Sequence, residues 1–196
     1  MPNTRMDQLF LQSLQQMTSL TREDVALCDH YFEPITENRH TILEEEGKIP
    51  RHFYFLRSGY CRLYYVDETG LEVTSHISSP GEFITPFLSF INQKVSKEHL
   101  ECLTDCSLLR IKRTDLEKLI SMSEAFKAFS LVVFQHAIAS SLERADELAT
   151  ADAETRYRKL MDTRPELVQN VPIQYLASYL GIKAPSLSRI RRKIKF

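Results

Sequence analysis

Four of the five glycines in this chain fall at Gly47, Gly59, Gly70 and Gly81, spaced twelve, eleven and eleven residues apart. A glycine at each turn with about ten residues between turns is hairpin spacing, because each interval holds one strand and its reversal. The intervening runs agree. Residues 52–57, 60–66 and 71–77 are rich in aromatic and β-branched side chains, which suit a pleated, half-buried surface. Asp67-Glu68-Thr69-Gly70 is a good hairpin turn in its own right, and further strands are expected at residues 99–103 and 107–111 around Thr104-Asp105. Residues 30–120 are therefore predicted to form an antiparallel, jelly-roll-like β-roll in an α+β chain.

From about Arg113 the period lengthens and stays helical to about Ala149. Leu131, Phe134, Ile138, Ser141, Ala145 and Leu148 alternate spacings of three and four, and Phe126, Phe129, Val133 and Ala137 form a second stripe beside them. Two apolar stripes require two packing partners. One covers the roll; the other is assigned to a second copy of the protein, with Ala137, Ser140, Ser141 and Ala145 small enough for close helix approach. The expectation is a homodimer built on a helix over about 114–149, at the end of a sensing body spanning residues 1–150. A single broad stripe buried wholly against the roll is the competing reading.

The chain ends in VPIQYLASYLGIKAPSLSRIRRKIKF, residues 171–196. Ile173, Leu176, Ala177 and Leu180 recur as one buried helical face behind Pro172, Gly181 supplies the tight exit, and Ile182 plugs the space between two helices. A second helix is expected to open near Pro185 with Leu187, Ile190 and Ile194 inward, which leaves Ser186, Arg189, Arg192 and Lys193 outward. Hydroxyls and cations are the groups that bond base edges and phosphates. Amphipathic helix pairs around a glycine also occur with merely solvated faces. Against that stands the run from Lys183 to Phe196, which holds six cations and no acid. Lys183 and Ser188 join the candidate DNA contacts, and residues 151–196 are read as a helix-turn-helix head, with a hinge at Thr150 to Asp152.

Charge divides the same way. Residues 151–196 carry ten Lys or Arg against four Asp or Glu, a net +6, while the first 150 residues carry −7. Phosphate neutralisation dominates nucleic-acid affinity, so the basic end is expected to touch DNA and the acidic body to do something else. No apolar run approaches the roughly 18 residues of a membrane span, and the first ten residues lack the apolar stretch of a secretory leader, so a cytoplasmic protein with no membrane partner is expected. Cys28, Cys61, Cys102 and Cys106 are too few and too irregular for a disulfide framework and are read as buried thiols. Cys102 and Cys106, across the expected turn, could pair or bind zinc, yet no second pair or nearby histidine accompanies them, and no metal site is assigned.

The assembled order of roll, long helix and helix-turn-helix resembles the Crp/Fnr family of bacterial transcription regulators. The resemblance rests on FYFLRSGYCRLYYVDETGLEV at residues 53–73, SPGEF at 79–83, LTDCSLLRIKRTDLEKL at 103–119 and LASYLGIKAPSLSRIRRKI at 176–194. It covers nearly the whole chain. It implies a cyclic-nucleotide-binding-like body and a dimer that places two recognition helices in successive major grooves of a near-palindromic double-stranded site. RNA polymerase is the further partner it implies, and a small-molecule effector of unknown identity.

Departures from the family pattern shape the expectations. SPGEF resembles the start of the family's phosphate-binding cassette, which puts Gly81, Glu82 and Phe83 in an effector pocket. Members that bind cyclic AMP continue about ten residues on with an arginine and a small hydroxyl residue that hold the cyclic phosphate. Here no arginine occurs between Arg62 and Arg110, and Ser96 and Lys97 lie nearest. The pocket is therefore expected to have lost cyclic-nucleotide binding, with a cyclic-nucleotide-responsive regulator as the alternative. Ala184 and Pro185 stand where those members carry base-reading Arg and Glu, while Arg189 retains the family's arginine. The sequence stops at Phe196, so contacts from the wing that many members carry after this helix are not expected.

Other chemistries fit poorly. An iron–sulfur member needs three thiolates near the N-terminus, where only Cys28 lies. His136 on the long helix could ligate haem, though an interface histidine with a polar partner is the commoner case. A cupin-like metal enzyme needs His-x-His and a following glutamate; no His-x-His occurs, nor any Gly-x-Ser-x-Gly, phosphate loop or dinucleotide fingerprint, so no catalytic residues and no cofactor are assigned.

Overall fold

The structure, a computed structural model, describes residues 8–194. Residues 1–7 and 195–196 lie outside the described residues, and with them most of the N-terminal stretch read above for a leader and Lys195 of the basic run.

Two helices open the chain, α1 (Gln8–Met17) and α2 (Arg22–Tyr31). A capping box starts α2: the Thr21 hydroxyl accepts from the Asp24 amide at 3.1 Å, and the Asp24 carboxylate accepts from the Thr21 amide at 2.8 Å. The strands are β1 (Glu33–Glu37), β2 (Ile42–Glu44), β3 (His52–Ser58), β4 (Cys61–Val66), β5 (Glu72–Ser78) and β6 (Phe83–Ile84). A short helix α3 (Phe87–Asn92) precedes β7 (His99–Cys102) and β8 (Cys106–Lys112). They form two antiparallel sheets of four strands, ordered β1-β8-β3-β6 and β2-β7-β4-β5. The expected roll is present. Its glycine turns differ in kind from the simple expectation, because only the Gly70 turn closes a hairpin, between β4 and β5. The turns at Gly47, Gly59 and Gly81, like Thr104-Asp105, carry the chain from one sheet to the other, which is what wraps a ribbon of strands into a roll.

The helical region beyond the roll is broken. Helix α4 (Arg113–Met122) and helix α5 (Glu124–Thr150) meet at Ser123, correcting the continuous helix expected over 114–149. Ser123 has extended backbone, its hydroxyl caps α5 by accepting from the Phe126 amide, and the same hydroxyl donates to buried Asp24 of α2. Phe126 and Phe129 then bury into an aromatic core with Phe10, Phe32, Phe53, Phe55 and Phe90, where Phe53 and Phe83 stack at 5.2 Å. Tyr54, Leu56, Leu63, Leu100 and Leu108 fill the interior of the roll.

The chain leaves α5 at extended Ala151 and continues through α6 (Ala153–Thr163), α7 (Pro165–Asn170), α8 (Ile173–Tyr179) and α9 (Ala184–Ile194). Arg164-Pro165 ends α6, and Pro165 also opens α7, since a first-turn proline forfeits no helical hydrogen bond. Leu160, Leu167, Leu176, Ala177 and Leu187 make a second core, which Ile77 and Leu103 of the roll also enter.

Polar contacts along β5 join the two parts. This strand is the last of its sheet, and its outward backbone is met by side chains. The Ser178 hydroxyl accepts from the Thr74 amide at 2.8 Å and donates to the Glu72 carbonyl at 2.9 Å. Arg144 donates to the Thr74 carbonyl and Arg164 to the Ile77 carbonyl, both at 2.9 Å. Buried Arg62 pairs with Glu101 and Glu72 of the body and lies 4.2 Å from the Tyr175 ring of α8.

Candidate nucleic-acid interface, effector region and thiol cluster

The C-terminal helix pair is held by its apolar side. Gly181 takes φ +68°, where a side chain is strained, and the Ile182 amide returns to the Ala177 carbonyl at 2.9 Å to stop α8. Arg156 reinforces this stop, donating from Nε and Nη2 to the Leu180 carbonyl at 3.1 and 2.8 Å. Leu187 is fully buried, and the Lys183 backbone carbonyl accepts from the Ser186 and Leu187 amides in the first turn of α9.

Opposite Leu187, Pro185, Arg189 and Arg192 are exposed; half-buried Ser188 flanks them on one side, half-buried Ser186 and exposed Lys193 on the other. Lys183 is exposed at the helix start. Two basic side chains differ from the sequence reading. Arg191, not singled out there, turns inward, donating to the Val168 carbonyl at 3.1 Å and lying 5.7 Å from the Tyr157 ring. Lys193 bonds Glu154 at 2.7 Å, an exposed pair that costs little to open.

The proposed effector residues are not gathered into one pocket. Gly81 and Glu82 lie near α1 and the C-terminal segment. The Gly81 carbonyl accepts from Ser13, and Glu82 accepts from the Ser79 amide and from Arg164. Phe83 is packed into the aromatic core. Ser96 sits in a turn against Gly47 and Lys48, its hydroxyl donating to the Glu98 carbonyl at 2.8 Å, and Lys97 is exposed. Arg164 was absent from the sequence reading of this region, because it is 82 residues from Glu82 in the chain.

His76 of β5 faces the same junction. Its pKa is lowered to about 4 by burial and then by Arg164 and Arg144.

Three of the four cysteines come together. Cys61 ends one side of the Gly59 turn, Cys102 pairs with it across β4 and β7, and Cys106 opens β8. Their sulfurs lie within 4.8 Å of one another, with Cys61 and Cys106 3.7 Å apart, and all three side chains are buried. Cys106 is held below the ordinary thiol value by S–H donation from Cys102 and Cys61, and the donors are correspondingly raised. The sequence reading considered Cys102 with Cys106 and omitted Cys61, which is supplied by strand pairing.

Along α5, Phe126, Phe129 and Val133 pack on the body, whereas Leu131, Phe134, Ile138, Ser141, Ala145 and Leu148 are exposed, joined by Leu142. This excludes one broad stripe buried against the roll. By length and composition α5 is apolar enough to cross a membrane, contrary to the expectation that no segment would be. The two stripes account for that composition.

The chain is thus a two-sheet roll carrying a long helix, with an appended module of C-terminal helices. Residues 37–123 match the cyclic nucleotide-binding domain family. The roll is similar to that family over those residues, and the chain shares its fold with solved bacterial regulators, one of them described as a member of the crp/fnr family. FixK2 from Bradyrhizobium japonicum is 15% identical with a TM-score of 0.74, covering 84% of each chain. The c-di-GMP responsive global regulator CLP of Xanthomonas campestris is 18% identical with a TM-score of 0.67, over 89% of this chain and 92% of that one. The Thermus thermophilus catabolite activator protein is 19% identical with a TM-score of 0.59, over 93% and 86%. No curated protein matches the chain by sequence.

Proposed function

We propose that the protein is a cytoplasmic, homodimeric, sequence-specific DNA-binding transcription regulator of the Crp/Fnr type. Residues 151–196 act as a helix-turn-helix head and residues 1–150 as an effector-sensing body. One observation carries the reading: the face of α9 opposite buried Leu187 offers Arg189 and Arg192 with serines on both flanks, and no acid occurs on that helix. Guanidinium groups on a helix narrow enough for the major groove can chelate guanine or clamp phosphate, and hydroxyls accept either role. Two heads on a dimer would meet half-sites about one DNA turn apart, and RNA polymerase is then the downstream partner. Catalysis by a cupin-type metal centre receives no support from the roll interior, which is filled by Tyr54, Leu56, Leu63 and Leu100.

Arg189 is the first choice for a base contact and Ser186 the second. In a binding-site selection followed by titration, Arg189→Ala should cost about 1 to 3 kcal/mol at the selected site and relax one base position. Arg192→Ala should instead weaken all DNA alike and reduce the salt dependence by roughly one ion. Equal losses on selected and random DNA for Arg189→Ala would remove its reading role.

A further inference from the structure

We propose that Cys61, Cys102 and Cys106 form a three-sulfur site for a soft, thiophilic metal ion of low coordination number, with the cuprous ion as its physiological type. The geometry is that of a site already closed around an ion. An ion about 2.3 Å from each of three sulfurs sets those sulfurs roughly 4 Å apart. The sulfurs here lie within 4.8 Å of one another, and one pair is at 3.7 Å. Three strand positions fix them, so little chain entropy remains to be lost on binding.

The surroundings select the ion. Thiolates favour soft metals, while zinc takes four ligands and calcium or magnesium take oxygen. Among the described residues no histidine or carboxylate joins the three sulfurs. They share a core with Tyr54, Leu56, Leu63, Leu100 and Leu108, and the oxygens nearest the Cys106 sulfur, the Thr104 and Tyr60 carbonyls at 3.2 and 3.4 Å, are hard neutral donors that a soft ion does not favour as a fourth ligand. Coordination is ligand exchange: each thiol that bonds the ion releases its proton to solvent, and the ion keeps its oxidation state. A disulfide is the other chemistry for close thiols, but it needs an oxidant, closure from 3.7 Å to about 2.0 Å, and leaves one sulfur unused.

The position also gives occupancy a route to the C-terminal helices. Cys61 follows Tyr60, Cys102 precedes Leu103, and the Cys106 sulfur lies 3.4 Å from the Tyr60 carbonyl. Leu103 belongs to the second core beside Leu167 and Val171, and Tyr60 packs against it. A metal that tightens the three sulfurs therefore pulls on the surface where α7 rests. This regulatory clause rests on the DNA-binding reading.

The test uses the full-length, reduced protein under anaerobic conditions, titrated with cuprous ion against a competing cuprous chelator. One ion per chain with three sulfur neighbours by X-ray absorption is expected. Cys61→Ser, Cys102→Ser and Cys106→Ser should each lose more than the roughly 10- to 100-fold that altering outer-shell groups costs, while Cys28→Ser keeps wild-type affinity. The wild-type stoichiometry and spectrum need no variant, so a misfolded mutant does not protect the proposal. Absence of binding, unchanged affinity in Cys106→Ser, preferred four-coordinate zinc, or conversion of the pair to a disulfide with no ion bound would overturn it. DNA affinity with and without cuprous ion tests the route to the helices; a DNA-binding protein whose affinity does not change would overturn the coupling. Copper binding is measured without DNA, so failure of the site and failure of DNA binding are distinguishable.

Discussion

Arg164, at the junction of α6 and α7, holds Glu82 of the roll with its Nη2 2.9 and 3.0 Å from the two carboxylate oxygens. The same guanidinium donates to the Ile77 carbonyl and the Ser79 hydroxyl. One side chain of the C-terminal segment thus occupies the carboxylate that the SPGEF sequence points toward an effector. Removing it by Arg164→Ala should lower stability by about 1 to 2 kcal/mol, a figure kept small because Glu82 is partly exposed. Urea unfolding measures the loss, and faster proteolysis near Ala151 should accompany it. Unchanged stability would mean the clamp holds nothing in place.

Cyclic AMP and cyclic GMP should not bind at micromolar concentration. Glu82 is already taken by Arg164, the Ser96 hydroxyl is used in its own turn, and Lys97 points to solvent. The one guanidinium at these residues, that of Arg164, is already engaged by Glu82, Ile77 and Ser79, and a poorly compensated cyclic phosphate costs several kcal/mol, about a thousandfold in affinity. Calorimetry decides. A micromolar dissociation constant would restore the cyclic-nucleotide-responsive reading that the family of residues 37–123 keeps open.

Self-association is expected to run through the exposed stripe of α5. Ile138 lies at its middle, so Ile138→Glu would bury an unpaired charge against the partner helix and should dissociate the dimer. Sedimentation of the variant should give the monomer mass. A persistent dimer would move the interface elsewhere.

Stability should fall on acidification through His76. Its folded pKa is lowered to about 4, below the ordinary value near 6.5, so the unfolded chain binds the proton first as pH drops. The contribution is intact above about pH 6.5 and is lost progressively toward pH 4. Because the ring is partly accessible, a loss of about 1 to 2 kcal/mol is the reasonable size. His76→Gln should flatten denaturation midpoints between those pH values. An unaltered slope would remove His76 as a source of acid sensitivity.

The legible part of the fold was its local chemistry. Glycine spacing located the turns because positive φ is a local demand, and Gly59, Gly70 and Gly81 each meet it. Which strands those turns pair was not legible, since β3 joins β8 at a separation of some fifty residues and no local pattern encodes that register. The break at Ser123 is hidden in the sequence because the apolar rhythm runs through it, and its partner, Asp24, is 99 residues away. The capping box at Thr21 and Asp24, by contrast, is a local signal, a hydroxyl followed three residues on by a carboxylate. The thiol cluster was half visible, in Cys102 and Cys106, and its third member arrives only through the pairing of β4 with β7. Arg191 shows the reverse error available in a basic run: charge places a residue near the surface, but only packing tells which side of α9 it serves.

The contacts along β5 have a consequence for any shortened form of this protein. A sheet's last strand normally invites another strand, and proteins blunt it with charge, twist or a covering segment. Here most of the covering is borrowed: Ser178 answers both the amide of Thr74 and the carbonyl of Glu72, as a neighbouring strand would, and Arg164 occupies the Ile77 carbonyl, while Arg144 of α5 occupies that of Thr74. Ile77 and Leu103 are shielded by the same helices. A body cut free of its C-terminal helices would keep Arg144 on the Thr74 carbonyl but would bare the Thr74 amide and the Glu72 and Ile77 carbonyls beside exposed apolar side chains, so the helices that would read DNA also help guard the roll against pairing with its own kind.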